Sequence, residues 1–196
     1  YPNFMESKRS QASRPNKVEK LPAVLCGYVT PGGVDYYNFS GTKGQTIVAT
    51  VKARQLVPYI ADAVPGWFQP VLRIVDSEGR EVAYSDDYYH NVDPVIITTL
   101  PKDDTYMLTI HDAIYRGRED FNYRIHIGQI PFVTGRYPAY GTVGKSVKQQ
   151  IKGVNLLDFQ KINSVTLTGY EYACEYADSI KRRVKRRENA EILAAK

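Results

Sequence analysis

Along most of the first 130 residues, apolar and polar positions alternate with a period of two. Ile47, Ala49, Val51 and Ala53 are interleaved with Thr46, Val48, Thr50 and Lys52, the spacing of a strand with one face in a core. Tyr106, Leu108 and Ile110 alternate in the same way with Met107, Thr109 and His111, and Phe121, Tyr123, Ile125 and Ile127 with Asn122, Arg124 and His126. Shorter runs at 21–29, 34–39, 71–75, 80–84 and 95–100 are closed by turn residues such as Thr30-Pro31-Gly32-Gly33, Ser40-Gly41-Thr42-Lys43-Gly44 and Asp76-Ser77-Glu78-Gly79, whose glycines and small polar side chains suit reversals. Seven or eight short strands, with no helical period before residue 170, predict an all-β chain folded as an antiparallel sandwich.

Where the alternation stops, the chain divides. Residues 1–17 are polar and basic without a period and are expected to be a flexible lead-in. The sandwich is expected over 18–129. Within it, residues 54–69 break the pattern with two prolines, a glycine and several large apolar side chains, which predicts a long apolar loop. From Ile130 the rhythm changes, with strands expected at 146–152 and 163–168. The stretch 130–169 is too short for a second sandwich of ~100 residues. Over 170–196 the apolar residues Tyr172, Tyr176, Ile180 and Val184 recur every four positions, predicting a basic helical tail.

Charge sharpens this division. The net charge is +5, but residues 1–20 carry +3 of it and residues 171–196 the other +2. The body is neutral, so its charge does not mark it as a nucleic-acid-binding surface. Cys26 and Cys174 are too few for a disulfide framework and lack zinc-ligand spacing. No apolar run approaches the ~20 residues of a membrane helix. Because the chain begins at Tyr1 rather than Met, the expectation is a fragment with its export signal upstream.

Three groups of residues carry candidate chemistry. Asp86, Asp87, Asn91 and Asp93 place four oxygen-bearing side chains on one loop, as a Ca2+ site requires. Their spacing departs from the usual calcium loop, and Asp and Asn also populate turns by bonding their own backbone. Tyr59, Trp67, Phe68, Tyr88 and Tyr89 fall on loops and could form a binding surface for carbohydrate or protein; alternatively, loop 54–69 folds back over the end of the sandwich. Arg182, Arg183, Lys185, Arg186 and Arg187 crowd positive charge into the tail, which suits either a polyanion or a solvated helical face. Catalytic signatures are missing: there is no G-x-S-x-G, no H-E-x-x-H and no phosphate-cradling glycine loop.

Residues 15–129 resemble the bacterial pre-peptidase C-terminal domain, in the form found in multidomain secreted proteins of planctomycete-like bacteria. The likeness is carried by Leu21-Pro22-Ala23-Val24 with Gly27, Gly33-Val34-Asp35-Tyr36-Tyr37-Asn38-Phe39, Gly44-Gln45, Val71-Leu72-Arg73-Ile74-Val75-Asp76 with Gly79, Asp86-Asp87, Leu100-Pro101, Thr105-Tyr106 and Asp112-Ala113 with Gly117. Gly33 stands where many members carry an acid, Asp104 where a glycine is usual, and loop 54–69 is longer and more apolar than typical. Residues 131–156, with Pro131, Pro138, Gly141 and Gly153-Val154-Asn155-Leu156, look like the opening of an Ig-like IPT/TIG domain.

The resemblance implies a jelly-roll sandwich in an exported bacterial protein. It also implies a non-catalytic module that serves secretion, substrate contact or surface attachment. The expected function is therefore contact with a polymer, a protein partner or a cell surface. The alternative is a structural or assembly module that docks through the partial second domain and the tail. A protein or polysaccharide is the expected partner, nucleic acid is disfavoured, and Ca2+ is the one cofactor the residues suggest.

Overall fold

A computed structural model describes residues 3–5, 12–56, 68–140, 146–156 and 165–168. The described residues form strands and turns, without a helix. Two compact units divide the chain, Tyr1–Ile130 and Pro131–Lys196.

The first unit contains ten strands: β1 (Asn3–Met5), β2 (Asn16–Val18), β3 (Ala23–Tyr28), β4 (Asp35–Gly41), β5 (Thr46–Lys52), β6 (Pro70–Val75), β7 (Glu81–Ser85), β8 (Val95–Thr99), β9 (Asp104–Asp112) and β10 (Asn122–Gly128). They form two five-stranded sheets, ordered β1-β3-β10-β5-β8 and β2-β4-β9-β6-β7. Between β3 and β10 only the β6–β7 connection stays within a sheet; each other step crosses to the opposite one. That crossing explains the alternating pattern, since each strand must present one face to the shared interior.

A single buried cluster draws Tyr37, Phe39, Leu72, Ile74, Tyr106, Leu108 and Ile110 from one sheet and Leu25, Ile47, Ala49, Val51, Tyr123, Ile125 and Ile127 from the other. Each large apolar side chain removed from water contributes roughly 1.5–3 kcal/mol. The tyrosines among them need partners for their hydroxyls. Tyr106 donates to the Lys102 carbonyl at 2.7 Å. The Tyr123 hydroxyl lies 2.7 Å from that of Tyr37 and donates to Asp35 at 2.6 Å. This chain of hydrogen bonds ties β4 in one sheet to β10 in the other.

The expected lead-in differs from what the structure places there. Asn3–Met5 pairs parallel with β3, and Asn16–Val18 pairs parallel with β4. Both additions are three residues long and sit at sheet edges. Backbone hydrogen bonds hold such strands, so no side-chain period announces them.

The second unit contains β11 (Phe132–Tyr137), β12 (Ser146–Val154) and β13 (Val165–Thr168) in one antiparallel sheet. A register shift between Val133 and Gly135 interrupts the first pairing. The expected helical tail, residues 170–196, lies outside the described residues.

Candidate functional site

The outer face of the sheet β2-β4-β9-β6-β7 is set by the same alternation that fills the core. Tyr106, Leu108, Ile110 and Asp112 point inward, leaving Met107 and His111 half-buried on the other face, with Thr109 between them buried at 8% exposure. Register then assembles a row across the face: Tyr36 lies opposite Thr109, Thr109 opposite Arg73, and Arg73 opposite Tyr84. Directly opposed residues have Cβ atoms about 5 Å apart. Arg73 is ion-paired to Glu81 at 2.7 Å, so the row offers a neutralised guanidinium rather than a free cation. Tyr84 is 52% exposed. Partial burial and the nearby Asp86 carboxylate push its phenol pKa up.

Beside this row, His111 stacks on Tyr115 with ring centroids 4.7 Å apart and planes 17° apart. Burial lowers the His111 pKa, against the pull of the Asp112 carboxylate and with a smaller push from the charge of Arg73. Tyr115 holds φ of +56° and is 54% exposed, and its neighbour Ile114 is 70% exposed. A bulky residue in the left-handed region is uncommon and persists only where its surroundings fix it. Here the fixing group is Asp112, fully buried. Its carboxylate accepts the N–H groups of Gln69, Ile114 and Arg116 at 2.9, 3.3 and 3.0 Å, and the Arg116 guanidinium at 3.0 and 3.1 Å. Burial raises the Asp112 pKa, but these donors, led by Arg116, hold it below the ordinary carboxylate value.

The proposed calcium quartet is not brought together. Asp93 is buried and accepts the backbone N–H groups of Arg54 and Gln55 at 2.9 and 3.2 Å. The Asn91 side-chain oxygen accepts the Asp93 N–H at 3.0 Å. Asp86 and Asp87 stay on the surface. No group of three or more His, Cys, Asp or Glu side chains able to hold a metal occurs among the described residues. The physical reason is local: the Asp and Asn oxygens close turns and tether the end of β5.

Of the five aromatic candidates, Phe68 is corrected outright. It is buried at 1% exposure and stacks on Phe121 with centroids 5.4 Å apart, so it belongs to the core. Tyr88 and Tyr89 form an edge-to-face pair 4.7 Å apart at a tight turn closed by backbone hydrogen bonds between Tyr88 and Asn91. Tyr89 is 75% exposed and holds φ of +56°. Tyr59, Trp67 and the basic positions Arg182, Arg183, Lys185, Arg186 and Arg187 lie outside the described residues.

No family model matches the chain. Over 98 residues, half of the chain, it is 32% identical to a probable subtilase-type serine protease of Deinococcus radiodurans. The matched stretch is 12% of that relative's length. Among solved structures, the pre-peptidase C-terminal domain of a Bacillus anthracis collagenase aligns with a TM-score of 0.45 at 12% identity, covering 62% of this chain and 98% of that one. PliG of Aeromonas hydrophila, a periplasmic inhibitor of g-type lysozyme, aligns with a TM-score of 0.41 at 12% identity, covering 64% of this chain and 97% of that one.

The histidines of the first unit stand apart from the nucleophile and acid pairings of hydrolytic sites among the described residues. His90, His111 and His126 make no hydrogen bond to a serine or a carboxylate among the described residues, and the buried His111 Nδ1 has no partner. A cleft of about 490 Å3 is lined by Asp76, Arg80, Thr98, Thr99, Pro101 and Lys102, among others. Its charges are paired internally: Lys102 Nζ lies 3.2, 2.7 and 3.0 Å from carboxylate oxygens of Asp76, Glu78 and Asp104. Burial pushes Asp76 up, but Arg80, Lys102 and the Glu78 N–H bring its pKa down to about 2. Sequence reasoning missed Tyr84, Tyr115, Arg73 and Asp112 as a set. The outward phase of β9 was visible, but the strand register that aligns it with β6 and β7 was not.

Proposed function

We propose that the chain is a non-catalytic binding module of an exported, multidomain protein. Its two-sheet unit is read as a jelly roll of the pre-peptidase C-terminal type. The observation that carries this reading is the pairing of a short match with an all-β architecture. The match takes in 12% of a probable subtilase-type protease. A subtilisin-type catalytic unit requires an α/β scaffold holding Ser, His and Asp together, whereas the described residues here are strands and turns with no such grouping. The module thus accompanies an enzyme without performing its chemistry.

On this reading, the partner is met at the rim and faces of the two-sheet unit. Asp93 fixes Arg54 and Gln55 before the apolar segment that contains Tyr59 and Trp67, and Asp112 fixes Gln69 after it. In the second unit, the antiparallel β11–β13 sheet is consistent with the opening of an Ig-like module. The partner class is a protein or a polysaccharide, met outside the cell. The purified chain should be incubated with protein and polysaccharide substrates while both retention and product release are followed. Retention without turnover is expected. Turnover that disappears on replacing one serine or histidine would overturn the reading.

A further inference from the structure

Resting on that reading, we infer that the outer face of β9, β6 and β7 is a stacking platform for a neutral polysaccharide. Its anchors are Tyr84 and the Tyr115–His111 pair. Three independent features converge on this face. The first is preorganisation: Tyr115 is presented at positive φ by a turn whose backbone and side chains converge on the buried Asp112 carboxylate, and its ring is braced by His111. An aromatic fixed in advance loses little freedom on binding.

The second feature is chemistry. A pyranose presents an apolar face of C–H groups rimmed by hydroxyls. Exposed tyrosines beside hydrogen-bonding groups match both parts, and here Arg73, Glu81 and Asp86 flank Tyr84. The third is charge. Arg73 is neutralised by Glu81 and Arg116 by Asp112, so neither guanidinium offers a polyanion an unpaired charge. It also has no continuous apolar groove for a helix, because the polar row of Thr109 and Arg73 runs through it.

The test is co-sedimentation of the full chain with insoluble cellulose, chitin and a β-glucan, at low and high sodium chloride. The comparison set is wild type, the Tyr84→Ala/Tyr115→Ala double variant, and Tyr140→Ala as a control aromatic from the second unit. All three substituted side chains are exposed, and circular dichroism melts verify folding. The expected result is retention of wild type on at least one polymer, insensitive to salt, with a loss of about tenfold in the double variant and little change in Tyr140→Ala. Equal retention of the double variant, or retention abolished by salt, overturns the platform while leaving the accessory-module reading intact. Absence of retention on every polymer also overturns it, and capture by a protein substrate in the same experiment would preserve the broader reading. If the chain hydrolyses a polymer, both fail.

Discussion

Replacing Tyr123 with Phe removes one oxygen from the centre of the first unit and leaves its packing nearly unchanged. That oxygen donates to the Asp35 carboxylate at 2.6 Å and lies 2.7 Å from the Tyr37 hydroxyl. All three side chains are buried. A hydrogen bond to a charged group contributes about 1.5–3 kcal/mol and a neutral one about 1 kcal/mol. Tyr123→Phe should therefore cost about 3 kcal/mol, and Tyr37→Phe, which removes the neutral bond to Tyr123 but leaves the bond from Tyr123 to Asp35, about 1 kcal/mol. For a unit of this size 1 kcal/mol moves Tm by roughly 4 °C, so Tyr123→Phe should melt about 10 °C lower. Burial, reinforced by Tyr37 and Asp35, raises the Tyr123 pKa well above its ordinary value. A raised folded-state pKa means that the stabilisation is complete below the unfolded tyrosine value near ~10 and is lost as pH climbs through the folded value. Wild type should thus lose stability above pH ~10 more steeply than Tyr123→Phe. Chemical denaturation of both single variants and the double variant at neutral and alkaline pH checks this. A cost for Tyr123→Phe no greater than that for Tyr37→Phe, or parallel alkaline limbs, would refute the account.

Four further outcomes follow from the geometry. Asp112→Ala should destabilise by about 3–5 kcal/mol in urea titration, because it strands a partly buried guanidinium and three N–H groups. Asp112→Asn should flatten the acid limb. The depressed Asp112 pKa makes its contribution complete above the unfolded value near ~4 and lost as pH falls below it. Gly117→Ala should cost about 2 kcal/mol by the same assay, since a Cβ there would overlap the Thr30–Pro31 peptide. Calcium at about 1 mM should leave Tm unchanged, because a ligand that binds only the native state must raise it. A rise of several degrees would restore a site to the 85–93 loop.

How much of this was legible in the sequence depended on which physical signal each feature left. The core strands were legible because burial of one face writes a period of two, as in Tyr106, Leu108 and Ile110 or Tyr123, Ile125 and Ile127. The edge strands at Asn3–Met5 and Asn16–Val18 were not, since parallel backbone pairing over three residues demands no side-chain pattern. Phe68 was misplaced because proline and glycine around it signal a loop, while its ring, two residues before β6, closes onto Phe121. Asp93 and Asp112 illustrate the deeper limit. In sequence both are acids in or beside turns, and an acid there suggests solvent or metal. In the fold each is buried because backbone N–H groups far away in the chain need an acceptor: Arg54 and Gln55 for one, Gln69 for the other.

The proposed binding face sits one step beyond the pattern for the same reason. Period fixes which way Tyr84 and His111 point, but only register decides that Tyr84 lies beside Arg73, and only the Asp112 turn decides that Tyr115 covers His111. A shift of one residue in the β6–β7 pairing would turn Tyr84 into the core and dissolve the proposed platform without altering composition. The two-sheet core follows from local alternation, which a sequence displays directly. The candidate binding face follows from long-range pairing, which becomes visible only when the strands are laid side by side.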